Sequence, residues 1–139
     1  MSNKIMRSHG EPVKQSGAPH ILLVDDSDAA RLCARTILEA LAMPISEATS
    51  GQEALALLAS RHFDLVVTDL EMTPVDGFAL IAGIQRLPSA RQPKIIVCSA
   101  LVGERWLRGH QELRAAAALV AKPVSPAVLL QAVQSALAG

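Results

Sequence analysis

Aromatic residues are scarce in this chain of 139 residues, which has two phenylalanines, one tryptophan and no tyrosine. A surface that binds single-stranded nucleic acid by stacking bases on aromatic side chains is therefore excluded. The charge balance also argues against nucleic-acid binding, because 13 basic residues balance 13 acidic residues, whereas polyanion-binding proteins carry a basic excess. We expect no nucleic-acid partner.

Cysteine is equally sparse. Cys33 and Cys98 lie 65 residues apart, outside any CxxC or Cys/His spacing. This separation argues against a disulfide framework and against a zinc site. We expect both residues to be reduced, buried thiols.

Long apolar segments are also missing. No apolar run approaches the ~20 residues of a membrane span, and the N-terminus lacks the apolar segment of a signal peptide. These features predict a cytoplasmic protein without a membrane partner.

The chain divides into a tail and one domain. Residues 1–19 are polar and contain two glycines and two prolines, a composition typical of a flexible tail. In residues 20–139, short apolar runs alternate with amphipathic segments, and most runs are continuous, as in strands buried on both faces of a parallel sheet. These runs cover residues 21–24, 44–48, 65–67, 95–98 and 118–121, of which 44–48 is the weakest and predicts an edge strand.

Helix start signals precede most of the amphipathic segments. The candidate N-caps are Ser27 or Asp28, Ser50, Asp76 and Ser125. Residues 103–117 are expected to form a further helix, in which Trp106 would face the surface or an interface. The alternation of strands and helices predicts an α/β fold, a five-stranded parallel sheet with helices on both faces.

Polar side chains follow four of the predicted strands directly. They are Asp25 and Asp26 after the first strand, Asp69 after the third, Ser99 after the fourth and Lys122 after the fifth. The carboxyl ends of parallel strands meet at one edge of the sheet, where open α/β proteins bind their ligands. We therefore expect these five side chains to converge.

This set of residue types suits phosphoryl chemistry. Clustered carboxylates repel one another unless a cation lies among them, and Mg²⁺ prefers such oxygen ligands. A lysine can hold a phosphate, a serine hydroxyl can donate to a phosphoryl oxygen, and a carboxylate can attack phosphorus to give an aspartyl phosphate. The sequence therefore predicts a magnesium-dependent reaction at a phosphoryl group.

Four motifs built on these residues resemble those of a known family. The segments LLVDD, VVTDLEMTPVDG, IIVCSA and VAKP occur in the same order in the receiver domain of two-component response regulators. The resemblance covers about residues 20–138 and is to the single-domain, chemotaxis-regulator-like type. It implies a flavodoxin-like receiver fold with the sheet order 2-1-3-4-5.

The resemblance also implies a role for each site residue. Asp69 would be the phosphoacceptor, with Ser99 and Lys122 contacting the phosphoryl group. The implied magnesium ligands are Asp25, Asp26, Asp69 and the backbone carbonyl of Glu71. A histidine kinase or a histidine phosphotransfer protein would donate the phosphoryl group, so the chain would be a signalling phosphoacceptor and not an enzyme. Its downstream protein target would bind the face formed by the family's fourth helix, fifth strand and fifth helix.

The chain departs from the family pattern in three places. Proline stands one position later than usual in the loop 72–77, which we expect to leave the site intact. Leu119 stands where the family has a tyrosine or phenylalanine whose rotation couples to phosphorylation. Residues 114–117 replace the glycines that usually precede the fifth strand. The last two departures concern signal transmission and not phosphoryl chemistry.

Three functions remain open at this point. Because Gly139 follows the last predicted helix directly, a stand-alone receiver would signal through protein–protein contact or phosphorelay. With Leu119 in place of the aromatic, the chain could instead be a binding module with weak or no phosphorylation-driven switching. A small haloacid-dehalogenase-like phosphatase would use residues 26–28, but Ala30 stands where its motif has threonine or valine.

Overall fold

The computed structural model describes residues 18–103 and 109–139. Residues 1–17 of the predicted tail, and Trp106, lie outside the described residues. The strands are β1 (Ile21–Val24), β2 (Ile45–Ala48), β3 (Leu65–Thr68), β4 (Lys94–Ser99) and β5 (Ala118–Ala121). The helices are α1 (Asp28–Leu38), α2 (Gly51–Ser60), α3 (Gly77–Gln85) and α4 (Pro126–Ala138). Within these ranges no helix has the length and apolarity needed to cross a bilayer.

The five strands form one parallel sheet in the order β2-β1-β3-β4-β5. At the carboxyl end of β1, Val24 pairs with Ala48 of β2 on one side and with Thr68 of β3 on the other. Both β1 and β3 are buried along their whole length, as expected for strands covered on both faces. The predicted fold class and sheet order are confirmed.

Alternate side chains of the strands point to opposite faces and build two apolar layers. Leu22 and Val66 pack with the buried faces of α2 and α3. Leu23 and Val67 pack with those of α1 and α4. The helices therefore cover the two faces of the sheet, and the carboxyl ends of the strands open towards the connecting loops.

The helix N-termini follow the sequence signals. In each helix the cap side chain accepts a hydrogen bond from the backbone N–H three residues later, the caps being Ser27, Ser50, Asp76 and Ser125. Glu53 supports the start of α2 by accepting from the N–H of Thr49 at 2.6 Å. These caps fix where each loop at the carboxyl edge becomes a helix.

The helix predicted over residues 103–117 is corrected by the structure. In the described part of this segment, Gln111–Ala115 forms a short 3₁₀ helix, while residues 104–108 lie outside the described residues. Gly103 has a φ of 100°, which is outside the right-handed helical region. The fifth helix of the prediction is accordingly α4.

The prediction of two buried thiols is right for Cys98 and wrong for Cys33, which is exposed. The buried positions of α1 are Ala34 and Leu38, one turn apart. Cys33 precedes this stripe by one residue, which rotates it by about 100° around the helix axis. Both thiols are free in the part of the chain that the structure describes.

Candidate functional site

A lysine bridges two carboxylates at the carboxyl edge of the sheet. Lys122, after β5, donates through Nζ to Asp25 Oδ2 at 2.8 Å and to Asp69 Oδ2 at 3.1 Å. Asp25 follows β1 and Asp69 follows β3, two strands that are hydrogen-bonded neighbours. Both aspartates are buried, with 5% and 9% of their surface exposed. Three of the five predicted residues are therefore in direct contact, and we call them the site triad.

The electrostatics of the site triad favour a charged lysine. Burial of the ammonium opposes its charge, but the hydrogen bonds to Asp25 and Asp69 outweigh burial and raise the pKa of Lys122 above its ordinary value. The ammonium is thus the cation that offsets the repulsion between the two carboxylates.

Backbone N–H groups hold the other oxygen of each carboxylate. Asp69 Oδ1 accepts from the N–H of Leu70 at 2.7 Å and from that of Glu71 at 3.4 Å. Asp25 Oδ1 accepts from the N–H of Ser27 at 2.9 Å. Each carboxylate therefore has one oxygen fixed by its own loop and one directed at Lys122, which sets its orientation in advance.

Of the remaining predicted residues, Ser99 contacts the site triad through its backbone, whereas Asp26 lines a separate cleft. Ser99 is fully buried at the end of β4, and its carbonyl accepts from the N–H of Lys122 at 3.1 Å. Its Oγ accepts from the N–H of Leu101 at 3.0 Å, and its hydroxyl hydrogen can still donate. Asp26 is exposed and lines, with Glu71, an open cleft of about 540 Å³. The Lys122–Pro123 peptide is cis.

These oxygen donors fit a magnesium ion. One cation, the Lys122 ammonium, already contacts both Asp25 and Asp69, so their carboxylates converge on a common point. Among the described residues, no three His, Cys, Asp or Glu side chains cluster as a ready-made metal site. Mg²⁺ does not need such a cluster, because it keeps several waters and binds through one or two carboxylates.

An apolar cavity of about 200 Å³ adjoins the site triad. It is lined by the apolar residues Cys98, Val67 and Ala34, and also by Asp69 and Lys122. Burial raises the pKa of the Cys98 thiol to about 12, so that this thiol stays neutral. Apolar lining of this kind lowers the local dielectric and strengthens the neighbouring ion pairs of the site triad.

Arg31 belongs to the site although no motif identified it. Its Nη1 donates to the backbone carbonyl of Asp25 at 2.9 Å, and its side chain is only 14% exposed. The available signal was its position on the first turn of α1, three residues after Asp28, where the two side chains can pair.

Together, the fold and the site define a class of protein, an open parallel α/β sheet with a lysine-bridged acidic site at its carboxyl edge. The model of the family described as "Response regulator receiver domain" matches residues 21–134. The chain therefore belongs to the response regulator receiver domain family, as the motifs predicted.

Known proteins of this family include both small regulators and parts of larger chains. A gliding motility regulatory protein of Myxococcus xanthus is 32% identical over 131 residues, which are 92% of this chain and 17% of that protein. The two-component response regulator ORR5 of Oryza sativa subsp. japonica is 33% identical over 122 residues, 86% of this chain and 88% of that protein. The structure of response regulator TrrA of Thermotoga maritima, in complex with Mg²⁺ and BeF, has a TM-score of 0.75 and 28% identity, covering 86% of this chain and 99% of its own.

Membership of the receiver domain family favours a receiver over a phosphatase among the functions that the sequence left open. Receiver domains are signalling phosphoacceptors that histidine kinases phosphorylate. The haloacid-dehalogenase-like alternative is set aside, and the structure gives its motif another use. Asp28 pairs with Arg31 at 2.8 Å, while Ser27 is the N-cap of α1.

Proposed function

We propose that this chain accepts a phosphoryl group on Asp69, in a magnesium-dependent reaction with a histidine kinase or a histidine phosphotransfer protein. The observation that carries the proposal is the contact of Lys122 with both Asp25 and Asp69. It supports the proposal because the carboxylate proposed as nucleophile, the carboxylate proposed for the metal ion and the cation proposed for a phosphoryl oxygen are joined by two hydrogen bonds.

The reaction is a displacement at phosphorus. An Asp69 oxygen forms a bond to phosphorus while the bond from phosphorus to the donor's imidazole nitrogen breaks, and a proton neutralises the departing imidazole. Lys122 would transfer one of its hydrogen bonds to a phosphoryl oxygen, and the hydroxyl hydrogen of Ser99 would bind another. A magnesium ion held at Asp25, with Asp26 and the Glu71 carbonyl at the cleft, would neutralise further phosphoryl charge.

The product would act in the cytoplasm through protein–protein contact or by passing the phosphoryl group on. A stand-alone role agrees with the rice regulator, of which this chain spans 88%. A role as a module of a longer protein agrees with the Myxococcus protein, of which it spans 17%. In either role the downstream surface would be the one formed by β5, α4 and the segment before β5.

Mass spectrometry of the intact chain tests the phosphoacceptor. After incubation with acetyl phosphate and MgCl₂, we expect one phosphoryl adduct per chain, and we expect none with Asp69→Asn or in the presence of a chelator. Asp76→Asn is the matched control, because Asp76 lies in the same loop and caps α3, a role that asparagine also fills. An adduct that survives Asp69→Asn would refute the assignment, and loss of the adduct in Asp76→Asn as well would attribute the effect to the loop and not to Asp69.

A second candidate function, a receiver that binds partners without switching, is favoured by Leu119. This residue is 44% exposed on the edge strand β5, at the position where the family has an aromatic side chain. A modification that leaves partner affinity equal in both forms shifts no equilibrium. Amide hydrogen exchange of residues 109–122, with and without Mg²⁺ and beryllofluoride, separates the two functions. A switch predicts altered exchange there, and a fixed binding module predicts none.

A further inference from the structure

We infer that Arg31 is a positioning residue, which sets the orientation of the peptide joining Asp25 to Asp26 and thereby prepares the magnesium site. The inference rests on the proposed function only in taking these aspartates as the metal-binding residues. It concerns binding of the metal ion, which can be measured without phosphoryl transfer.

The guanidinium of Arg31 donates hydrogen bonds to three acceptors. Nη1 donates to the carbonyl of Asp25 at 2.9 Å, Nε to Glu47 Oε1 at 2.8 Å and Nη2 to Asp28 Oδ1 at 2.8 Å. A planar group with donors in a fixed fork can satisfy three acceptors at once only if they are held in one arrangement. Arg31 therefore joins the loop after β1 to α1 and to the edge strand β2.

With these contacts, the backbone N–H, the carbonyl and the carboxylate of Asp25 are all hydrogen-bonded. Its N–H donates to the carbonyl of Ala48 in β2 at 3.2 Å, and its carbonyl is tied to the same strand through Arg31 and Glu47. Its two carboxylate oxygens are bound by the N–H of Ser27 and by Lys122. Among these restraints, only the contact with Arg31 sets the direction of the Asp25 carbonyl, and hence the plane of the peptide that carries Asp26.

Rotation of that peptide would change the direction in which the Asp26 side chain leaves the backbone relative to Asp25, and with it the way in which the two residues could share a metal ion. Groups that orient metal ligands without touching the metal typically contribute about 10- to 100-fold to metal affinity. We therefore expect Arg31→Ala to weaken Mg²⁺ binding by about tenfold.

Arg35 provides a matched control on the same helix. It donates to Glu47 Oε2 at 2.6 Å, so that Arg35→Ala removes one positive charge and one α1–β2 contact, as Arg31→Ala does. The three acceptors of Arg31 include the Asp25 carbonyl, whereas the contacts of Arg35 are with Glu47 and Glu39. A third variant, Arg31→Lys, keeps the charge and most of the stem but loses the planar fork.

Calorimetric titration of the four proteins with MgCl₂ tests the inference, with urea unfolding as the check on folding. We expect Arg31→Ala to weaken Mg²⁺ binding about tenfold, Arg31→Lys to weaken it several-fold, and Arg35→Ala to change it less than twofold. Equal weakening in Arg31→Ala and Arg35→Ala would overturn the inference, because charge or helix attachment would then explain the effect. Unchanged binding in Arg31→Lys would also overturn it, since charge alone would be sufficient.

The rate of labelling by acetyl phosphate at increasing Mg²⁺ gives an independent readout. Loss of positioning predicts that Arg31→Ala needs about tenfold more Mg²⁺ for half the maximal rate, while the rate at saturation changes much less. If wild-type protein binds Mg²⁺ in an Arg31-dependent way but gains no phosphoryl adduct, the proposed function fails and the positioning role stands.

Discussion

Gly77 shows how one residue without a side chain shapes the site. A Cβ atom at this position would overlap the carbonyl oxygen of Asp69 and lie 2.6 Å from Cα of Leu70. The N–H of Gly77 also donates to the carbonyl of Leu70 at 2.9 Å. Because the obstructing atoms are backbone, we expect Gly77→Ala to lower the free energy of unfolding by about 2 kcal/mol or more and to slow labelling of Asp69. Urea unfolding and intact-mass labelling measure the two effects.

Gly83→Ala is the control for this prediction. A Cβ at Gly83 would meet the end of the Leu55 side chain at 2.6 Å, which can rotate away. Alanine is also favoured over glycine in a helix interior by about 1 kcal/mol. We expect Gly83→Ala to keep or increase stability and to label normally, so an equal loss in both variants would count against the steric explanation at Gly77.

The two cysteines differ in environment, and we expect them to differ in reactivity. Cys33 is exposed on α1, whereas Cys98 is buried in β4 with a thiol pKa raised to about 12 by burial. The thiolate is the reactive form, so a disulfide reagent such as DTNB should modify one thiol in the native chain and both after unfolding. Cys33→Ser should abolish the native reaction. Modification of Cys98 in the folded protein would show that this part of the sheet opens readily.

At the scale of elements, the strands could be predicted because each is a short apolar run, whereas the segment before β5 could not. Residues 115–118 are all alanine and have a high intrinsic helix propensity. Tertiary pairing overrides that propensity. The N–H of Ala117 donates to the carbonyl of Ile95 at 2.7 Å, and Ala118 pairs with Ile96. The pairing with β4 cannot be inferred from the alanine-rich composition of this segment.

The candidate site was predictable in its location but not in its contacts. Strand-end spacing placed Asp25, Asp69 and Lys122 at one edge of the sheet, and the structure joins them directly. The orientation of Ser99 towards Leu101, and the contact of Arg31 with a backbone carbonyl, depend on loop geometry and rotamers. Neither follows from residue spacing.

A histidine directly before β1, at the opposite end of the sheet from the site triad, contacts β2 and the residue before β3. The backbone N–H of His20 donates to Asp64 Oδ2 at 2.8 Å. The ring Nε2 of His20 lies 2.8 Å from Ser46 Oγ. Its ring packs on Phe63 with the ring centroids 4.6 Å apart. Burial, together with the positive charge of Arg61, lowers the pKa of His20 below its ordinary 6.5, against an opposing contribution from Asp64.

This lowered pKa predicts acid sensitivity. The unfolded chain binds a proton at His20 more readily than the folded chain, so stability falls as the pH drops from 6.5 through the folded pKa. The nearby His62 also lowers the pKa of His20. We expect the wild type to lose more stability than His20→Gln between about pH 7.5 and about pH 5, in urea unfolding at a series of pH values. Identical pH dependence of the two proteins would exclude His20 as the responsible group.

At the scale of the whole molecule, the equal numbers of acidic and basic residues conceal an uneven distribution. Three aspartates lie at the carboxyl edge of the sheet, of which Asp26 is exposed and Asp25 and Asp69 are buried. In the described structure Lys122 is the cation hydrogen-bonded to the two buried ones. The folded state thus holds the like charges of Asp25 and Asp69 close to one ammonium group. If the proposed magnesium ion binds at these carboxylates, we expect stability and metal binding to be linked through this ammonium group.

Lys122→Met tests this link, because methionine keeps an apolar stem and leaves Asp25 facing Asp69 without a cation. The ammonium-bearing side chain is 24% exposed, so we expect a moderate loss of about 1–2 kcal/mol in the presence of a chelator. Mg²⁺ should then stabilise the variant more than the wild type, since the ion replaces the missing charge and stabilises by binding only the native state. Urea unfolding with and without MgCl₂ measures both effects.

Lys94→Met serves as the control for that experiment, because Lys94 is an exposed residue at the other end of β4. We expect Mg²⁺ to stabilise Lys94→Met and the wild type equally. If Mg²⁺ stabilised all three proteins to the same extent, the ion would bind without relieving the repulsion between Asp25 and Asp69. A larger response confined to Lys122→Met would mean that the lysine and the metal ion offset the charge of the same pair of carboxylates.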